Sequence, residues 1–103
     1  MSQCIAERVL HYCLKGSNEH HQCVLRILAP EEILPGEVTF PFTTGTARCI
    51  VQLCGLPETI SEEFIGADTV QALQLATEVE PLLKRMSVKY DFFFPSGEGY
   101  FGE

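Results

Sequence analysis

Apolar residues are concentrated in four short runs along the chain. Residues 4–14 and 21–29 form two runs separated by the turn residues 15–20, and a third run, 48–54, contains β-branched side chains. Residues 88–94 alternate with a period of two. Because the side chains of a strand point alternately to opposite faces of a sheet, this pattern predicts four strands, of which the first two form a hairpin.

A helix is predicted directly after Gly66. Asp68 is placed to accept hydrogen bonds from the amides of the first turn, and Gln71 stands three residues later, as in a capping box. Apolar residues then recur at helical spacing at Ala72, Leu75, Ala76, Val79, Leu82, Leu83 and Met86. Because proline lacks an amide hydrogen and crowds the preceding turn, we expect a kink at Pro81, or a break with a second turn starting there.

These elements predict a single α+β domain over residues 1–103, in the order ββ-β-α-β. The fold would be a four-stranded antiparallel sheet with one helix packed on one face. Residues 30–45 are broken by prolines and glycines, which predicts a long loop, and residues 58–63 are interpreted as an acidic connection to the helix. A chain of 103 residues can bury a single core without disulfides or a structural metal.

Four stretches of the chain carry a resemblance to known sequences. They are Ile5-Ala6-Glu7-Arg8-x-Leu10, Val24-x-Arg26-Ile27, Cys49-x-Val51-x-Leu53-x-Gly55-Leu56 and Gly66-x-Asp68-x-Val70-Gln71-Ala72-Leu73-x-Leu75-Ala76. Together they resemble a family of small bacterial domains of unknown function, and the last stretch is the specific one. The resemblance implies a bacterial source and brings no catalytic residues with it. The chain departs from the family pattern in a longer segment at 58–64 and in three consecutive phenylalanines.

The charge balance narrows the classes of partner. The chain has 14 acidic and 7 basic residues, for a net charge of −7, so it repels phosphate, and we expect neither nucleic acid nor an anionic membrane as a partner. The N-terminal segment has no basic leader or apolar run, so we expect no signal peptide. Five cysteines, an odd number without a Cys-x-x-Cys pair, favour reduced thiols in a cytoplasmic protein, and no cofactor is expected.

A metal site is the sharpest chemical hypothesis, and it depends on the register of the first hairpin. With a three-residue loop, His11 would face Cys23 and Cys13 would face His21, so four zinc ligands would share one face. With a four-residue loop, Leu10 would face Leu25, Tyr12 would face Cys23, Leu14 would face His21 and Arg8 would face Ile27. A slip of one residue exchanges the faces of a strand, so only one register can hold. We favour the second register, because it gathers the larger apolar side chains, and therefore expect no metal.

Catalytic chemistry has weaker support in the sequence. Cys13 or Cys23 could act as a nucleophile with His11 or His21 as its base, but no nucleophile elbow or oxyanion loop accompanies them, and the interpretation leans against an enzyme. Acidic residues are found in the predicted loops at Glu31, Glu32, Glu58, Glu62 and Glu63. They are interpreted as solvated charges, or as a surface that grips and neutralises a basic protein.

The remaining sequence feature that points to a function is a predicted apolar surface. In the favoured register Val9, Val24, Ile50 and Phe93 come from all four predicted strands and point away from the helix. Monomers seldom expose a contiguous apolar face, so we expect a protein partner there, most simply a second copy of the chain in a homodimer. Two alternatives stay open, namely the acidic neutralising partner and a metal- or thiol-dependent enzyme. The 30–45 loop could also fold over the face and leave no interaction surface.

Overall fold

A computed structural model describes residues 3–101. Residues 1, 2, 102 and 103 lie outside the described residues, and the first two belong to the N-terminal segment considered above. The described part of the chain contains six strands and two helices: β1 (Cys4–Leu14), β2 (His21–Leu28), β3 (Glu31–Glu32), β4 (Ala47–Cys54), β5 (Ile60–Gly66), α1 (Thr69–Thr77), α2 (Glu80–Met86) and β6 (Tyr90–Phe93). The α+β class is confirmed, whereas the expected four strands and single helix are wrong.

All strand pairings in the described sheet are antiparallel. β5 pairs with β4 along one edge, from Ala47 to Leu53, while β2 and the short β3 pair with different parts of β4 and share its other edge. β1 follows next to β2, and β6 pairs with the last residues of β1. The order across the sheet is therefore β5, β4, β2 continued by β3, β1 and β6.

The acidic segment 58–63, expected to be a connection, contains most of a strand. Ile60 and Phe64 of β5 pack against the core, and Glu62 lies between them on the same face. Glu62 is tolerated there because its carboxylate forms an ion pair with Arg85 of α2. β3 is only two residues long, so it carries no periodic signal, and it is held by pairing of Glu31 with Arg48 and of Glu32 with Ala47.

Neither hairpin register expected from the sequence is observed. Arg8 pairs with Leu25, Leu10 with Cys23 and Tyr12 with His21, two residues away from the favoured register. The faces are unaffected, since a shift of two preserves the alternation of side chains. The last two residues of β1 pair with β6 instead of β2, Cys13 with Asp91 and Leu14 with Tyr90. Leu14, expected to pair with His21 in the favoured register, is half exposed.

The helical stretch is divided into α1 and α2 close to Pro81, in agreement with the expected break. Asp68 is the N-cap of α1, and its Oδ1 accepts a hydrogen bond from the Gln71 amide at 2.8 Å. The Gln71 side chain returns a bond by accepting from the Ala67 amide at 2.6 Å. Pro81 stands in the first turn of α2, where its missing amide hydrogen is not needed. Neither helix of the described residues is long and apolar enough to cross a membrane.

Both helices lie over one face of the sheet as the chain passes from the β5 edge to the β6 edge. They bury that face, which we call the covered face. Its strand residues include Leu10, Tyr12, Cys23, Leu25, Ile27, Ala47, Cys49, Val51, Leu53, Tyr90 and Phe92. Ala72 and Ala76 of α1 and Leu82 and Leu83 of α2 close the core from the other side. Leu75, expected in the helical stripe, is instead exposed to solvent.

Candidate interaction surface

The opposite face of the sheet, which we call the open face, consists of the alternate residues of the same strands. Val9 of β1 pairs with Val24 of β2, and Val24 pairs with Cys54 of β4, so these three side chains form one apolar row across the sheet. The other apolar members are Cys13, Leu28, Ile50, Ile65 and Phe93. The structure therefore places Val9, Val24, Ile50 and Phe93, the residues selected from the sequence, on the same face.

Most of the apolar side chains on the open face remain accessible to water. Val9 is 38% exposed and Ile65 is 37% exposed, whereas Leu25 and Leu53 on the covered face are 2% and 0% exposed. Val24, Leu28, Ile50 and Phe93 are each half-buried by their neighbours in the sheet. The open face is thus a partly accessible apolar surface that neither helix covers. Within the described part of the chain, the His20 ring lies against Phe93 near one end of this face, and Glu37 pairs with Arg48 near the other.

Charges on the open face occur in compensating pairs. Arg26 of β2 contacts Glu7 of β1 with an Nε to Oε2 distance of 3.6 Å. Arg48 of β4 lies 3.6 Å from Glu63 of β5 and also forms an ion pair with Glu37. At the other end of the face, Lys15 binds Asp91 at 2.5 Å. Each of the three cations of the open face, Lys15, Arg26 and Arg48, is matched by a carboxylate, so this face is much less acidic than the chain as a whole, whose net charge is −7.

The sheet separates the four residues considered as zinc ligands. His21 stacks on Tyr12 of the covered face, with ring centroids 5.4 Å apart, and Cys23 is buried in the core on that side. His11 and Cys13 belong to the open face, where His11 pairs with Phe93 and Cys13 with Asp91. Because two side chains point to each face, the four do not meet at one site. No group of three or more potential ligands that could hold a metal ion occurs within residues 3–101.

The two buried thiols considered as nucleophiles lie in environments that keep them protonated. Burial raises the pKa of the Cys23 thiol to about 11. Burial, and to a smaller degree the charge of Asp91, also raise the pKa of Cys13. The thiolate is the reactive form, so these side chains act as small apolar residues at neutral pH. All five cysteines are free thiols, including the exposed Cys4 and the half-buried Cys54.

The five glutamates assigned to acidic loops do not gather on one surface. Four of them belong to strands: Glu31 and Glu32 to β3, and Glu62 and Glu63 to β5. Glu62 and Glu63 point to opposite faces, and each contacts an arginine.

Glu58, the fifth glutamate, lies near the end of the sheet where β6 begins. Its carboxylate accepts a hydrogen bond from the Tyr90 hydroxyl at 2.7 Å and contacts Lys89 Nζ at 3.2 Å. The bond to Tyr90 and then that to Lys89 lower the pKa of Glu58. The same bond to Glu58, together with burial, raises the pKa of Tyr90 to about 12.

Residues 33–46, which we call the arm, connect β3 to β4 beside one end of the open face. The start of the arm is well anchored, because Ile33 is buried and its amide donates a hydrogen bond to the Thr46 carbonyl at 2.8 Å. Glu37 accepts a hydrogen bond from the Leu34 amide and pairs with Arg48. Farther out, Leu34 is 58% and Phe40 is 45% exposed. The arm therefore carries apolar side chains of its own into solvent.

The sequence did not indicate a cavity of about 350 Å³ at the outer edge of β6. Lys15, Lys84, Tyr90, Tyr100 and Phe101 contribute to its lining. Both lysines already have partners, since Lys15 binds Asp91 and the Lys84 ammonium lies 4.8 Å from the centre of the Phe101 ring. The cavity thus has no charged group held ready for a ligand.

Comparison with known proteins adds no function to this geometry. No protein-family model, curated protein or solved structure matches the chain. The open face is the candidate interaction surface of the described residues, because it combines accessible apolar side chains with matched charges.

Proposed function

We propose that this protein is a non-enzymatic interaction module that forms a homodimer through the open face of its sheet. The observation that carries the proposal is the partly accessible apolar row of Val9, Val24 and Cys54, continued by Ile50 and Phe93, on the face that neither helix covers. Contiguous apolar surfaces of this kind mark protein contacts in soluble domains.

The charges support a second copy as the partner. Two molecules of net charge −7 repel each other, and the repulsion at their contact is smallest where the contacting surfaces carry matched charges. The open face meets this condition, because Arg26, Arg48 and Lys15 are each paired with a carboxylate. A two-fold axis would bring such a face against itself without placing unpaired like charges in contact.

The alternative partner is a basic protein neutralised by the acidic surface. The net charge of −7 favours it, but Glu58, Glu62 and Glu63 each already contact a lysine or an arginine of the same chain. A basic partner would have to displace these contacts. The homodimer requires no such exchange and is the preferred function.

The test places a charge on each side of the molecule. Ile50→Lys puts an ammonium on β4 within the open face, and Val70→Lys adds the same charge to an exposed position of α1. Light scattering after size exclusion should give a dimer for the unmodified protein and for Val70→Lys, and a monomer for Ile50→Lys. Far-ultraviolet circular dichroism should show an equal helix signal in all three.

A monomeric unmodified protein at every concentration would refute the homodimer. If that monomer captured a basic protein from a lysate and lost it as salt rose past physiological strength, where the screening length is about 8 Å, the acidic surface would be the functional one.

A further inference from the structure

The arm and the open face are two accessible apolar features of one molecule. Leu34 and Phe40 of the arm are largely exposed, and the rings of Phe40 and Phe42 contact each other edge to face at a centroid distance of 6.5 Å. The exposed Phe40 and the half-buried Phe42 are therefore held together as a small cluster. Such an exposed apolar cluster is poorly hydrated, so burying it against a partner protein is favourable.

The arm and the Phe93 region lie at opposite ends of the open face. The arm precedes Ala47, where β4 begins, whereas β4 ends at Cys54, in the row of Val9 and Val24. Phe93 and its strand partner His11 lie beyond that row, and the His20 ring contacts Phe93 at 4.9 Å. A two-fold axis parallel to the sheet and perpendicular to the strands would place the arm end of one copy over the Phe93 end of the other.

The open face alone is smaller than a standard protein interface, which leaves room for the arm to add to the contact. At about 3.3 Å per residue and 4.8 Å between strands, the five-strand face measures on the order of 600 Å². A standard interface buries about 800 Å² on each partner. The face alone falls short of this area, and the arm, with its exposed Leu34 and Phe40, adjoins it and could complete it.

We infer that the arm of one protomer packs on the open face of its partner, with Phe40 contacting the region around Phe93. The inference rests on the proposed homodimer and specifies how it is built. The anchored start of the arm supports it, because the contacts of Ile33 with Thr46 and of Glu37 with Arg48 fix this segment beside the open face. Preorganisation of this kind lowers the entropic cost of association.

The first test compares dimer dissociation constants by dilution with light-scattering detection. The double variant Leu34→Ser, Phe40→Ser should weaken the dimer by about tenfold or more, because truncated aromatic anchors at interfaces often cost over 1.4 kcal/mol. Val88→Ser, at an exposed position outside the arm, should leave the constant unchanged. An unchanged constant in the double variant, with Ile50→Lys still monomeric, would overturn the arm contact and leave the homodimer standing.

The second test asks which chain the arm touches. Phe40 is replaced by the photo-crosslinking amino acid p-benzoylphenylalanine, and illumination should give a covalent dimer whose crosslinked peptide contains Phe93 of the other copy. The same substitution at Val88 should give no dimer. Crosslinks confined to single chains, in a protein that is dimeric by light scattering, would show that the arm packs on its own domain and would refute the inference. A monomeric protein would instead refute the homodimer itself.

Discussion

The two faces of the sheet are built from the same strands, yet the helices lie over only one of them. On the covered face Leu10, Leu25 and Leu53 are sealed from water by α1 and α2. On the open face Val9, Val24 and Ile50 have similar apolar character but remain partly accessible, with paired charges among them. Hydrophobic alternation alone therefore does not identify a core. The position of the covering layer decides which apolar face stabilises the monomer and which is left for a partner.

Removing a leucine side chain from each face should change the stability most. Leu53→Ala creates a cavity in the core and should lower the free energy of unfolding by about 3 kcal/mol. Leu28→Ala, on the open face, should cost about 1 kcal/mol or less in the monomer. Urea unfolding at high and low protein concentration checks both values. Because a dimer adds concentration-dependent stability, the cost of Leu28→Ala should grow with concentration. Equal losses in the two variants at low concentration would remove the distinction between the faces.

A second effect concerns the closeness of α1 to the covered face. A Cβ on Gly66 would lie 2.4 Å from the Ala72 amide nitrogen, a backbone atom that cannot move without shifting the helix. Gly66→Ala should therefore destabilise the fold by about 2 kcal/mol. Gly36→Ala in the arm meets no atom within 4 Å and carries only the strain of a φ of +90°, worth about 1 kcal/mol. Thermal unfolding should rank the two in that order, and the reverse ranking would mean that the helix is not packed this tightly.

Much of this architecture follows from local sequence patterns. The spans of β1 and β4 match their apolar runs within one residue, and the cap at Asp68 and the break near Pro81 follow from the chemistry of those side chains. The division into two faces was also predictable, because it depends on the period of two. Neighbouring side chains on a strand alternate whatever the partner strand is.

What the sequence could not supply depends on distant partners. β5 was missed because Glu62 and Glu63 interrupt its apolar pattern, and their arginine partners, Arg85 and Arg48, are far away in the chain. The hairpin register was wrong by two residues because such a shift keeps the alternation intact. The Tyr12 hydroxyl, which donates to the Gly55 carbonyl at 2.9 Å, is one of the tertiary contacts that favour the observed pairing.

Removing the N-cap of α1 should change the stability less, and it tests one of the two helices that bury the covered face. Asp68→Ala removes the acceptor for the Gln71 amide and should cost about 1 kcal/mol, while Asp68→Asn retains an acceptor and should cost much less. Chemical unfolding of both variants at neutral pH measures the difference. Similar losses in the two would mean that Asp68 acts through its charge or its packing and not as a cap. Dimer mass should be unaffected, since the cap lies on the helical side of the sheet.

The last effect appears only away from neutral pH, at the Tyr90 end of the covered face, where polar atoms are satisfied within the chain. The hydrogen bond to Glu58 and burial raise the pKa of Tyr90 from 10.0 to about 12, so the folded state holds the phenolic proton more tightly than the unfolded state. The resulting stability is complete below pH 10 and is lost as the pH rises toward 12. The pKa of Glu58 is lowered, so its contribution has the opposite sign of dependence: it is present above the ordinary carboxyl pKa and is lost as the pH falls through the lowered value.

Two conservative variants separate these contributions. Tyr90→Phe should flatten the decline of the melting temperature between pH 10 and 12, and Glu58→Gln should flatten the decline at acid pH while keeping the Tyr90 hydroxyl bonded to a neutral acceptor. Melting temperatures measured across both ranges provide the check. Arg26→Gln, which breaks the exposed ion pair with Glu7 on the open face, serves as the control. Because such pairs contribute little, it should leave the decline of the melting temperature unchanged at both acid and alkaline pH. If the melting temperature of Tyr90→Phe fell between pH 10 and 12 as steeply as that of the unmodified protein, the hydrogen bond to Glu58 would not be the source of that dependence. The contact between Tyr90 and Glu58 would then not stabilise this end of the covered face.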